Sequence, residues 1–178
     1  MQPPTELEWQ LLFTGNETDL KAYALANQEL LKTYGMDDVA EDPNSTVQEK
    51  IQLLLAAVHS VVVDWREYDD EIVRLFAARL PEETIDVKES DNGLLVTYNG
   101  VEHVIALSMS PNDRYLTIRG FQQIVGAKYE IRLFEHSYFS DTHEFLILPR
   151  YVWDRLETEY GEQVGKVFRV VDSELDFP

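Results

Sequence analysis

Residues 45–80 read STVQEKIQLLLAAVHSVVVDWREYDDEIVRLFAARL, the longest stretch of the chain with helical character. Ser45 followed by Gln48 has the spacing of a capping box, in which side chains satisfy the unpaired donors of a helix's first turn. Behind it Val47, Ile51, Leu54, Leu55, Val58, Val62 and Trp65 recur at helical spacing and predict one apolar face. The acidic run Asp64, Glu67, Asp69, Asp70, Glu71 interrupts that face, and Ile72, Leu75 and Phe76 resume it before Pro81. A straight helix of this length would span roughly 50 Å at about 1.5 Å per residue. A break or kink is therefore expected near Asp64–Tyr68, although Tyr68 keeps the stripe in phase and leaves a continuous helix open.

Upstream of this stretch the sequence is helical as well. Thr5 and Glu8 form a second capping box, for a short helix ending near Phe13. A helix over Thr18–Tyr34, with Leu20, Tyr23, Leu30, Leu31 and Tyr34 on one stripe, is stopped by Gly35. After Pro81 the period changes to alternation. Strands are expected at 85–89, 94–98 and 101–107, and Asn99-Gly100 has the chemistry of a type I′ hairpin turn. That loop sets Tyr98 opposite Val101, Val96 opposite His103 and Leu94 opposite Ile105. A helix led by Pro111-Asn112-Asp113 runs to Val125, weakened by Gly120 and the β-branched Thr117 and Ile118. Strands over 129–135 and 144–148, a helix from Pro149 to Tyr160 and a strand through Val167, Arg169 and Val171 complete the chain, ahead of an acidic end over 172–178.

The expected fold class is α+β: N-terminal helices (1–83), then a mainly antiparallel sheet (84–178) in the order ββ-β-α-ββ-α-β, with helices packed on one face. No Pro/Gly/Ser-rich linker separates the halves, so one domain over 1–178 is expected.

Composition narrows the chemistry. The 178 residues contain no cysteine, which removes disulfides, thiolate catalysis and cysteine zinc sites, and fits a cytoplasmic location. The start of the chain has no signal-peptide pattern, and the longest apolar run, 53–63, falls far short of the roughly 20 residues of a membrane span. Thirty-three acidic against fifteen basic residues give a net charge of −18. The acidity is shared, with 17 acids and 6 bases over 1–83 and 16 and 9 over 84–178. Such a field repels nucleic acid and anionic membranes and draws in a basic protein; it also serves solubility.

Phosphate-binding glycine loops, a GxSxG elbow and HExxH are absent. Glu135 to Glu144 places His136, Asp141 and His143 on one hairpin loop, where they could meet a metal, supply an acid/base pair or contact a partner. The spacing matches no ligand motif, so no metal and no cofactor is expected. His59, beside the apolar helix face, and His103 read as hydrogen-bonded, partly buried histidines. The acidic run lacks calcium-loop spacing. Its carboxylates read either as a solvated helix face or as a docking surface for Arg and Lys, with Trp65 and Tyr68 as anchors or as core. The residues put forward for partner contact are Asp64, Glu67, Tyr68, Asp69, Asp70, Glu71, His136, Asp141 and His143.

The segment Ser140 to Pro149, SDTHEFLILP, followed by Trp153 and Leu156, resembles a strand-to-helix segment recurring in bacterial proteins of the polymorphic-toxin immunity type. A small, acidic, cysteine-free α+β chain is similar to them in overall character. The resemblance implies inhibition of a basic toxin by occlusion, without a cofactor, and carries over no functional residue. An acidic adaptor or DNA mimic aimed at a DNA-binding protein, and a small enzyme using the 136–143 loop, stand beside it.

Overall fold

The hairpin unit forms as its local chemistry dictates. In a computed structural model, which describes residues 3–108, 110, 113–173 and 175, strands β2 (Ile85–Ser90), β3 (Gly93–Tyr98) and β4 (Val101–Ala106) make an antiparallel sheet of three. Asn99 and Gly100 adopt φ of 49° and 83°, and Tyr98, Val96 and Leu94 face Val101, His103 and Ile105 as the two-residue loop requires. Leu94, Val96 and Ile105 are buried, whereas Val101 is open to solvent beside the turn. For labelling, β1 is the earlier strand Val61–Asp64.

The break expected near Asp64–Tyr68 is present, but it opens earlier, at Ser60, and contains that strand. Helix α4 (Val47–His59) ends at Ser60, whose backbone is extended (φ −73°, ψ 157°), β1 follows, and α5 (Asp69–Ala77) resumes the helix. Three consecutive β-branched valines are stiff at χ1 and fit a pleated surface better than a helix. Val61 and Val63 are buried while Val62 faces out, the alternation of a strand. Val62, Trp65 and Tyr68, predicted to continue an apolar helical stripe, are all exposed. The cap also moves by one residue: Thr46 and Glu49 form the box, and Ser45 donates to Asp42 instead.

The N-terminal helices are α1 (Glu6–Thr14), with the Thr5–Glu8 box in place, α2 (Glu17–Ala26) and α3 (Gln28–Thr33). The single helix expected over Thr18–Tyr34 is divided at Asn27, whose side-chain amide donates to the Tyr23 carbonyl at 2.9 Å. Gly35 then turns the chain at φ 68°. Beyond the hairpin unit come α6 (Asp113–Val125), β5 (Tyr129–Phe134), β6 (Thr142–Pro149), α7 (Arg150–Tyr160), α8 (Glu162–Val167) and β7 (Phe168–Val170). Helix α8 lies where a loop was expected: Gly161, at φ 56°, ends α7 and starts another short helix. Pro111, Asn112 and the acidic residues Glu174 and Asp176 lie outside the described residues.

The fold is α+β with two antiparallel sheets where one was expected. The four-stranded sheet runs β1-β6-β5-β7, and the three-stranded sheet β2-β3-β4 stands apart from it. Helices cover both faces of the larger sheet instead of one. Phe145 and Ile147 of β6 face a core built with α5, α6 and the hairpin unit; Leu146 and Leu148 face a second core with α1, α4, α7 and α8. Two apolar faces on one strand demand two covering layers. Helices α5 and α6 lie in the first layer and touch both sheets. Gly120, which weakened the helix in sequence, permits this contact: a Cβ there would come within 2.7 Å of the Ile105 side chain.

Candidate functional site

The antiparallel pairing of β1 with β6 sets Asp64 opposite Thr142, so the loop leaving β1 and the loop entering β6 meet at one end of the sheet. The Asp64 carboxylate organises the first loop. It accepts the Arg66 backbone N–H at 2.9 Å and the Arg66 Nε at 3.1 Å, and its second oxygen accepts the Thr142 hydroxyl at 3.4 Å. These donors, the Arg66 backbone first, hold Asp64 below the usual carboxylate range. The Arg66 guanidinium lies 5.3 Å from the Trp65 ring centre. Tyr68 is the N-cap of α5 and makes no side-chain cap bond, so its ring is left to solvent.

The first turn of α5 carries Asp69, Asp70 and Glu71, favourable positions for negative charge at a helix N-terminus. Asp70 and Glu71 pair with Arg74 one turn on. Asp69 turns inward and accepts the Thr117 hydroxyl at 2.5 Å. Burial raises its pKa, and the charges of Asp113 and Asp70 add to the rise against the Thr117 bond. Glu67 forms no ion pair among the described residues.

The second loop supplies Phe139 and Asp141, and the Asp141 carbonyl accepts from Arg114 of α6 at 3.4 Å. The large apolar side chains exposed at this end include three aromatic rings: Trp65 is 56 %, Tyr68 78 % and Phe139 83 % exposed. The same loops and the first turn of α5 carry Asp64, Glu67, Asp70, Glu71 and Asp141. Three large open aromatic rings on two loops at one end of a sheet have the character of interface anchors.

The two loop histidines separate. His143 is buried on the α6 side of the sheet, with its ring edge-on to Tyr115 and its Nε2 3.3 Å from the Tyr138 carbonyl. Burial, aided by the Arg114 charge, lowers its pKa and favours the neutral ring. His136 lies on the opposite face, against Phe134, with Nε2 2.5 Å from a Glu144 oxygen. Neighbouring strand residues point to opposite faces, so the sheet itself keeps these imidazoles from converging. Seven of the nine proposed contact residues share one end; His143 lies buried beneath it and His136 across the sheet. Among the described residues no group of three or more His, Asp or Glu side chains is placed to hold a metal ion. Likewise, no described helix is long and apolar enough to cross a membrane.

Sequence reasoning did not single out Phe139 or Arg66, and it read Trp65 either as an interface anchor or as core. The strand assignment is the signal that exposes Trp65. Compared with family models, curated proteins and solved structures, the chain matches none.

Proposed function

We propose that this chain is an acidic binding protein that neutralises a basic partner protein by covering its working surface, an immunity-type inhibitor acting on a bacterial toxin in the cytoplasm. The observation that carries the reading is the exposure of three aromatic rings, Trp65, Tyr68 and Phe139, on the two acidic loops that meet at one end of the larger sheet. Aromatic rings with few rotatable bonds are the side chains that anchor protein interfaces, and the surrounding carboxylates suit Arg and Lys. The field of −18 raises the encounter rate with such a partner. Occlusion needs no cofactor and no catalytic group.

The test is a pull-down from lysate of the source cell with the full chain and with the double variant Tyr68→Ala/Phe139→Ala, eluted by a salt gradient. The reading expects one basic protein, retained in stoichiometric amount by the native chain, released as salt rises and lost from the variant. The native chain should also inhibit that protein's own activity. Equal retention by the double variant would remove this surface from the interaction, and an uninhibited partner would remove the inhibitor role.

A further inference from the structure

Strand β6 has eight residues and its neighbour β1 only four, and their pairing stops at Val61 opposite Phe145. Beyond Phe145, β6 runs on to Pro149 beside β5 alone. The backbone of Ile147 points to the side that β1 leaves open. Opposite it on β5, Ile131 donates its N–H to the Gln122 side-chain oxygen and accepts the Val171 N–H at 3.2 Å, both away from β6. Ile131 and Ile147 are therefore a pair without hydrogen bonds between them, and such a pair turns its groups outward on both sides. Pro149, next on the open side, has no N–H to leave unmet. The chain does not reach Ile147 itself. His59 is still helical, the Ser60 N–H goes to the Ala56 carbonyl at 2.8 Å, and Arg79 donates to the Ser60 carbonyl. Among the described residues no hydrogen bond meets the Ile147 N–H or C=O on this side. A residue this buried seldom keeps both backbone groups unpaired.

A pocket of about 260 Å³ lies at this end of the sheet, with residues 146–149 in its lining and Leu80, Pro81, Tyr129 and Tyr151 as its walls. The unpaired backbone says what kind of ligand completes it. An anion would meet only the N–H of Ile147, and a cation only its C=O. One residue of an extended peptide meets both, as in any hydrogen-bonded pair of an antiparallel ladder. Its side chain would share the face of Val61, two residues along the same line, toward the core that holds Leu80 and Tyr129. We infer that this pocket binds a short extended peptide with an apolar side chain, one residue of which pairs with Ile147 in the place β1 leaves open. None of the residues of the proposed protein interface takes part, so the inference stands or falls apart from it.

The experiment follows the full chain by backbone amide NMR, first alone and then titrated with acetyl-Ala-Leu-Ala-amide and with the same peptide N-methylated at leucine. In the free chain the Ile147 amide should exchange with solvent faster than those of Leu146 and Leu148, which face β5. The first peptide is expected to saturate below about 10 mM, shifting the Ile147 and Leu80 amides and slowing exchange at Ile147. The N-methylated peptide has no leucine N–H for the Ile147 carbonyl and should bind about tenfold more weakly or worse. Tyr151→Ala changes a side chain that is 72 % exposed, so it keeps the fold and should bind several-fold more weakly. The inference is overturned if the first peptide does not saturate, if both peptides bind alike, if Tyr151→Ala binds as tightly as the native chain, or if the free chain protects Ile147 as well as its neighbours.

Discussion

Two groups of carboxylates flank β1, and the fold provides for one of them in full and for the other only in part. Near its start, Glu8 accepts from His59 Nε2 at 3.0 Å, from the Tyr23 hydroxyl at 3.0 Å and from the Thr5 backbone and hydroxyl at 2.7 and 2.8 Å. Burial opposes its ionisation, but the His59 and Thr5 bonds more than offset that and hold it down to about 2. At the far end Asp64, Asp70 and Glu71 have arginine partners, but Glu67 forms no ion pair among the described residues, and burial, with Asp113 and Asp70 nearby, raises the pKa of Asp69. An acid given donors by its own fold stabilises that fold. An acid left among acids, beside exposed rings, is a cost to the isolated chain, and a partner is what would offset it. Net charge alone cannot make this distinction.

The sharpest break of the contrast is removal of one acid from each group. Glu8→Ala leaves the Tyr23 hydroxyl, the His59 ring and the first turn of α1 without their acceptor. It should cost about 3 kcal/mol in urea unfolding. Glu67→Ala should change stability by less than about 0.5 kcal/mol. A large loss at Glu67 would mean that the acidic end is part of the framework.

Acid titration draws the same line with smaller steps. Glu83 is a second fully provided acid: it accepts from Lys128, from Asn99 at 2.6 Å and from the Tyr129 hydroxyl at 2.8 Å, tying the hairpin turn to β5. These bonds, Lys128 first, hold it too at about 2. A carboxyl whose pKa is depressed on folding contributes stability that is complete above its ordinary value near 4.5 and is lost as pH falls toward 2. Glu8→Gln and Glu83→Gln should each make the unfolding midpoint less sensitive to pH across that window. An unchanged acid limb in both variants would show that their donors hold no ionised carboxylate.

The contrast was half legible in the sequence. Thr5-x-x-Glu8 and Asn99-Gly100 were readable because their hydrogen bonds and φ values close within a few residues. The strand β1 was not, because Val58, Val62 and Trp65 satisfy helical spacing while Val61, Val62 and Val63 satisfy alternation. Only pairing with the distant residues His143 and Phe145 decides between them. That one assignment decides between core and surface for Trp65, which the sequence left open. The acidic residues 64–71 were found from their charge and flanking aromatics, and Asp141 from its place between the two loop histidines. That the loop carrying Asp64 lies beside the loop carrying Phe139 depended on the β1–β6 register, and so did the separation of His136 from His143.

Asp69 tests the acidic end with a smaller effect of opposite sign. Its raised pKa means that the folded chain binds this proton more tightly than the unfolded chain does. Stability therefore falls as pH rises through the interval between the ordinary aspartate value and the raised one. Asp69→Asn keeps an oxygen to accept the Thr117 hydroxyl and removes the charge facing Asp113 and Asp70. The variant should gain under about 1 kcal/mol at neutral pH, with the gain vanishing below about 3.8. A loss at neutral pH would place Asp69 with Glu8, as an acid the fold depends on.

The smallest expected change in stability is also the most informative about recognition. Glu67→Lys puts a cation beside Asp64, Asp70 and Glu71, so the isolated chain should unfold within about 0.5 kcal/mol of the native one. Binding of the basic partner should respond differently, because a rim charge acts on the encounter: slower association at low salt, with the deficit shrinking as salt is added. Reduced association together with unchanged stability would assign the acidity of this end to recognition. If association is unaffected while Tyr68→Ala/Phe139→Ala abolishes binding, the rings alone carry the contact and the carboxylates around them serve solubility.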